Sequence, residues 1–179
     1  KNVTTKYEKK NDVYIINGKK KWTSFGSIAD FFLVIAGDGN NVSAFLVDRN
    51  SQGIKVEEMH GLIAGHGVHI SQIEFTNVEV PAAKLLGGEG NGLAYIVSTA
   101  LGHGRFSIAW GGIEIAQAAL EAMVTYARKR EQFGERIYKH DAIQQMIGES
   151  TAKLHAASAL CEKVATMRSE KHHDSVMET

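Results

Sequence analysis

Val13-Tyr14-Ile15-Ile16-Asn17-Gly18-Lys19 is a run of strand-forming residues that closes on Asn-Gly, the strongest short hairpin signal a sequence carries. It predicts a strand entering a turn at Asn17-Gly18 and returning through Lys19 to Ser24. The flanks keep the same character, and residues 1–6 already alternate as a strand does. Asp30 to Ala36 is an apolar run of Phe, Leu, Val and Ile, bounded by Gly37-Asp38-Gly39-Asn40-Asn41. Val42 to Val47 and Ile54 to Met59 follow, and from His69 to Phe75 the positions Ile70, Gln72 and Glu74 alternate with Ser71, Ile73 and Phe75. Short strands with frequent turn residues predict a small antiparallel β-barrel or sandwich. Pro81, the only proline, falls where this pattern ends.

Beyond it the period changes. Between Asn91 and Arg130 apolar residues recur at three and four, at Ile108, Ile115, Ala119, Ala122 and Tyr126. Gly102-His103-Gly104 and Gly111-Gly112 interrupt the pattern and predict a break or kink near residue 103. Phe133-Gly134 reads as the helix stop. A second helix is expected from Asp141, as N-cap, through Ile143, Ile147, Leu154, Cys161 and Val164. Long alanine-rich helices usually pack in a bundle. The fold class is therefore α+β, with a β-domain over residues 1–85 and a helical domain over 86–179. Gly87-Gly88-Glu89-Gly90-Asn91-Gly92 lacks the Lys-Ser/Thr of a P-loop and the spacing of a dinucleotide fingerprint, so it reads as a hinge between domains.

Composition narrows the partners. The 20 basic and 20 acidic residues balance, and no basic stripe points to nucleic acid. No apolar run is long enough for a membrane span. A single cysteine, Cys161, suits a reducing, cytoplasmic setting. No metal site is expected: His66-Gly67-Val68-His69 lacks ligand spacing, and His172-His173-Asp174 reads as a solvated helix end. The first residues resemble neither a signal peptide nor a methionine start, and the last carry no helix stop, so a longer parent chain is expected.

Three segments together resemble the acyl-CoA dehydrogenase family. Ile16-Asn17-Gly18-Lys19-Lys20-Lys21-Trp22-Thr23-Ser24-Phe25-Gly26, followed by Ile28-Ala29-Asp30, is similar to that family's "NGxKxWITNGxxAD" signature. Val80-Pro81-Ala82-Ala83-Lys84-Leu85-Leu86-Gly87 with Gly90-Asn91-Gly92 is similar to its "VPxxxxLG…GxG" crossing. Tyr126-Ala127-Arg128-Lys129-Arg130-Glu131-Gln132-Phe133-Gly134, then Ala142-Ile143-Gln144, is similar to "YAxxRxQFG…xxIQ". The resemblance implies a middle β-domain lacking its opening loop, then the first helices of an incomplete four-helix bundle. It also implies a dimer or tetramer with FAD between subunits, and the 179 residues alone are expected to be inactive and to self-associate.

The same resemblance assigns roles. Trp22, Thr23 and Ser24 match the segment that wraps the flavin ring: an aromatic covers one face, and a hydroxyl donates to a ring nitrogen that gains electron density. Ser24 stands for the usual Thr and Phe25 for the commoner Asn. Without the flanking Ala29-Asp30 match, Trp22 would read rather as a tryptophan packed in a barrel and Ser24 as a serine in a turn. Arg130, Gln132 and Phe133 match residues that reach the FAD of a neighbouring subunit, the forked guanidinium suiting a pyrophosphate. His140 and Asp141 stand where the family has an aromatic or His followed by Gln. Arg105 matches a substrate-contacting arginine, binding thioester or pantetheine oxygens or else forming a buried ion pair. One family branch carries its catalytic glutamate just before that arginine; Gly104 is there, so the base is expected beyond Thr179. In the Gly61-to-Gly67 loop, His66 and Val68 replace the family's Arg and Ser.

The implied reaction is α,β-dehydrogenation of an acyl-CoA in fatty acid metabolism, with electrons passing to an electron-transfer flavoprotein. Gly102-His103-Gly104-Arg105-Phe106-Ser107 with Trp110 resembles relatives in polyketide extender-unit pathways, which leaves an acyl carrier protein substrate open, as well as an acyl-CoA oxidase. A non-catalytic oligomerisation or binding module is the alternative of another class.

Overall fold

The computed structural model describes residues 3–170. Lys1, Asn2 and the expected solvated end at His172-His173-Asp174 lie outside them. The described residues form two compact units that divide between Thr99 and Ala100.

In the first unit β1 (Lys6–Lys10), β2 (Val13–Thr23), β3 (Phe31–Gly37), β4 (Val42–Asp48), β5 (Ile54–Glu58), β6 (Ser71–Pro81) and β7 (Leu85–Leu86) make one sheet in the order β5-β6-β2-β1-β3-β4-β7. Neighbours are antiparallel except β1 and β3, which meet in parallel at Lys6 and Gly37. Alternation puts Tyr14, Ile16, Phe32, Val34, Ile73 and Phe75 in the core. The rings of Tyr7, Tyr14 and Phe45 meet at its centre with centroids 5.0–5.7 Å apart. Such pairs add about 0.5–1.5 kcal/mol each beyond area burial.

The expected turn at Asn17-Gly18 does not form. β2 runs straight through it, and the hairpin lies earlier, at Asn11-Asp12, with Asn11 in the left-handed region at φ 53°. The pairing with β6 explains the difference. Ile16 faces Val78 and Gly18 faces Phe75, so Thr76 and Asn77 together oppose Asn17. The Asn17 side chain serves this bulge: its Oδ1 accepts the Asn77 amide at 2.8 Å and its Nδ2 donates to Asn77 Oδ1 at 3.2 Å. Gly18 has φ 143°, and a Cβ there would sit 2.7 Å from Thr5 Cα. The glycine permits a close strand crossing, not a reversal.

A polar chain fastens the loop after β7. The Ser43 hydroxyl donates to Tyr7 Oη at 3.0 Å, and Tyr7 donates to Asp38 Oδ2 at 3.1 Å. The Gly90 amide donates to Ser43 Oγ at 2.9 Å, and a Cβ at Gly92 would strike Ser43 backbone at 2.6 Å. The glycine loop is thus pressed onto β4. The amides of Asn41 and Asn40 donate to Asp38 Oδ1 at 2.6 and 2.7 Å and hold its carboxyl down to about 2.

A π-helical turn, Gly92–Val97, precedes α1 (Ser98–Lys129). α1 is unbroken at residues 102–104, contrary to the expected kink. Gly102 is buried; Arg168 of α2 (Asp141–Ser169) donates Nη1 to its carbonyl at 3.1 Å and lies 4.9 Å from the Phe106 ring. A Cβ at Gly102 would stand 3.9 Å from Arg168 Nη2, an ordinary contact, so space for that arginine does not account for the roughly 1 kcal/mol propensity cost of glycine here. Ala109, Ala116 and Met123 line the α1–α2 groove with Ser150, Leu154 and Ala157. The stripe read from the sequence joins this groove at Ala119 but otherwise lies off it. Ile108, Ile115 and Tyr126 are 77%, 74% and 60% exposed, each one position before a residue of the packed face. Two apolar stripes about 100° apart belong to a helix with more than one neighbour.

α1 ends at Lys129, and Phe133-Gly134 is not its stop. It turns a two-stranded hairpin, β8 (Glu131–Gln132) to β9 (Glu135–Arg136), with both residues at positive φ. His140 caps α2 without a side-chain bond, and Asp141 lies inside the first turn, where its charge suits the helix dipole. Among the described residues no helix is long and apolar enough to cross a membrane.

Gly18→Ala is expected to lower unfolding free energy by about 2 kcal/mol in urea denaturation, because the strands must part; a change within experimental error would contradict the close crossing. Asp38 has a folded pKa below its unfolded one, so its contribution is present above about pH 4 and lost as pH falls towards 2. Asp38→Asn should flatten the stability profile over that window, and an unchanged slope would count against the turn's role.

Candidate functional site

β2 delivers Trp22 and Thr23 to its exposed end, and the chain leaves through a tight turn. Trp22 and Phe25 hold φ of 61° and 56°, a region costly for bulky side chains. Asn would tolerate the conformation of Phe25 more easily. The Ile28 and Ala29 amides donate to the Phe25 carbonyl at 3.1 and 2.8 Å, and the Phe25 amide donates to the Val68 carbonyl. Gly26 is buried against Ser71, where a Cβ would sit 2.6 Å from the serine Cβ.

Trp22 is 63% exposed, which rules out a tryptophan packed in the barrel. Neither the half-buried Thr23 nor the exposed Ser24 spends its hydroxyl on a partner among the described residues. Both line a recess with Lys20, Ala29, Phe31 and Leu33. Burial at this recess holds the Lys20 ammonium below its usual pKa. The arrangement offers a flat aromatic face beside unengaged donors, the chemistry a polar planar ring requires.

The second unit groups Arg130, Gln132, Phe133 and His140 around the β8–β9 hairpin. The Arg130 amide closes the last turn of α1 on Tyr126, and its carbonyl accepts the Ile137 amide at 2.9 Å, so backbone on both sides fixes its place. Its guanidinium is exposed and meets no partner among the described residues. Phe133 is 94% exposed and strained at φ 54°. Its ring meets that of His140 edge to face at 6.2 Å; His140 Nδ1 lies 3.7 Å from Glu135 Oε1, while Nε2 is buried without a partner. An orphaned ring nitrogen and a free guanidinium on the residues flanking one hairpin suit a polar, anionic ligand. Arg105 lies on α1 with its side chain exposed, so the buried ion pair is not what it forms.

One residue of the first site escapes a sequence reading. Arg49, just beyond β4, donates Nη1 to the carbonyls of Gly26 at 3.0 Å and Ala29 at 3.3 Å. Nothing local marks it, because its partners lie 20 or more positions away.

The family model of the acyl-CoA dehydrogenase middle domain matches residues 1–78, and that of the acyl-CoA dehydrogenase C-terminal domain matches residues 90–179. The chain is 36% identical over 172 residues to cyclohex-1-ene-1-carbonyl-CoA dehydrogenase of Syntrophus aciditrophicus, an alignment covering 93% of the chain and 41% of that relative. Among solved structures it is similar to butyryl-CoA dehydrogenase from Megasphaera elsdenii, with 28% identity and a TM-score of 0.86 over 98% of this chain and 47% of that one. It is similar also to a prolyl acyl carrier protein oxidase, with 28% identity and a TM-score of 0.87 over the same shares. The chain thus spans less than half the length of these proteins.

Phe133 is kept exposed in a conformation that Asn adopts more easily. Phe133→Asn is expected to raise the unfolding free energy by about 1 kcal/mol in urea denaturation. A variant no more stable than the parent would contradict the strain.

Proposed function

The chain belongs to the acyl-CoA dehydrogenase family, and we propose that the complete protein is an FAD-dependent enzyme that removes the α- and β-hydrogens of an acyl-CoA. The observation that carries this reading is the turn after β2, where a large, mostly exposed indole and two unengaged hydroxyls are held by left-handed backbone. Such strain persists where surrounding structure imposes it, and it gathers at ligand sites.

Each residue has a task in this reading. Trp22 covers one face of the flavin ring and keeps water from it. Ser24 donates a hydrogen bond to a ring atom that becomes electron-rich, with Thr23 beside it. Arg130 pairs with a phosphate of FAD bound by a neighbouring copy, and Gln132, Phe133 and His140 shape that contact, His140 through its unpaired Nε2. Arg105 holds a thioester or pantetheine oxygen. FAD, when bound, supplies the centre that takes the β-hydrogen as hydride. The α-proton goes to a carboxylate base, a role that Gly104, with no side chain, does not fill. A homodimer or tetramer and an electron-transfer flavoprotein as acceptor complete the proposal.

A second reading keeps the chemistry and changes the carrier. The segment Gly102-His103-Gly104-Arg105-Phe106-Ser107 with Trp110, together with the likeness to a prolyl acyl carrier protein oxidase, favours an acyl group presented by a carrier protein.

The test is the visible spectrum of the complete protein purified without added cofactor, then mixed with acyl-CoA esters and acyl carrier proteins. Oxidised flavin bands that bleach with CoA esters are expected. Bleaching by carrier-bound acyl groups alone would move the substrate to the second reading. A colourless protein that takes up no added FAD would overturn both and leave a non-catalytic module.

A further inference from the structure

The turn after β2 is anchored from outside by a single cation. We infer that Arg49 is a positioning residue for the flavin-facing turn, and this rests on the functional reading above. Two bulky residues, Trp22 and Phe25, occupy left-handed backbone within four positions, a conformation that relaxes unless the surroundings enforce it. The enforcement is asymmetric. On one side the Phe25 amide is tied to the Val68 carbonyl, and Gly26 is packed on Ser71. On the other, Arg49 makes three contacts in succession: Nη1 to the carbonyls of Gly26 and Ala29 at 3.0 and 3.3 Å, and its backbone amide to the Asp30 carbonyl at 2.9 Å.

A guanidinium suits this task. One nitrogen with two N–H groups bridges two carbonyls whose amides cannot serve each other, and a charged donor makes these bonds stronger than neutral ones. Arg49 meets no carboxylate among the described residues, so both carbonyls draw on an uncompensated positive charge. The sheet fixes its origin, since β4 pairs with β3 along its whole length from Phe31–Asp48 to Gly37–Val42. Arg49 thereby relays the rigidity of β3–β4 to the end of β2, where Trp22, Thr23 and Ser24 project. It acts through the turn without touching the cofactor.

The experiment compares the complete wild-type protein with Arg49→Met and Arg49→Lys, reading amide hydrogen exchange without FAD and FAD affinity by titration. In Arg49→Met the amides of Ile28 and Ala29, bonded within the turn, should exchange roughly tenfold faster, with β3 and β4 unchanged. FAD should bind about tenfold more weakly, and Arg49→Lys should recover part of both effects. Unchanged exchange at Ile28 and Ala29, or faster exchange across the whole sheet, would overturn the proposal. So would faster local exchange with wild-type FAD affinity, which would make Arg49 a structural brace only. If the wild type takes up no FAD, the functional reading fails and the flavin role falls with it, while exchange still reports whether Arg49 holds the turn.

Discussion

No side chain fits between residue 18 and Thr5. A Cβ at Gly18 would lie 2.7 Å from Thr5 Cα, and the rest of the first unit follows from that contact. Because Gly18 lets β2 pass so close, the strand continues for eleven residues and pairs with β1 on one side and β6 on the other. The bulge opposite Asn17 takes up the irregularity, and the side chain of Asn17 repairs the hydrogen bonds it breaks. The length of β2 then sets where Trp22 and Thr23 emerge. Had the chain reversed at Asn17-Gly18, these residues would have stood on a returning strand.

The helices are tied over a long range too. The Arg168 guanidinium reaches the Gly102 carbonyl and the Phe106 ring from the far end of α2. Three large aromatics also stand at positive φ: Trp22 and Phe25 after β2, and Phe133 in the β8–β9 turn. Each is a large aromatic where Gly or Asn would be easier. An aromatic held exposed against its own backbone preference is the mark of a surface built to meet something.

Much of this was legible in the residues. The alternation of Ser71, Ile73 and Phe75 marks the core face of β6, and Ile147, Leu154 and Val164 mark the packed face of α2. What misled were signals with two physical meanings. Asn-Gly serves a reversal or a bulge, and only the partner strand decides. Phe133-Gly134 suits a helix end or a hairpin turn, because both need positive φ. Ile108, Ile115 and Tyr126 form a true helical stripe, but a helix with two apolar faces does not announce which one meets α2. Arg49 was invisible because its role lies in carbonyls distant along the chain. Trp22, Ser24 and Arg130 are singled out only by the resemblance of their surrounding segments, and composition would not have marked them.

The central claim is that the end of β2 faces the flavin. Fluorine NMR of the complete protein labelled with fluorotryptophan, with Trp22→Phe to assign the resonance, tests it without relying on turnover. The account predicts that the Trp22 signal shifts on FAD addition and saturates at one FAD per chain, since a ring stacked on the indole changes its shielding. Bound FAD, evident from its visible bands, with an unmoved Trp22 signal would contradict the account and place the cofactor elsewhere.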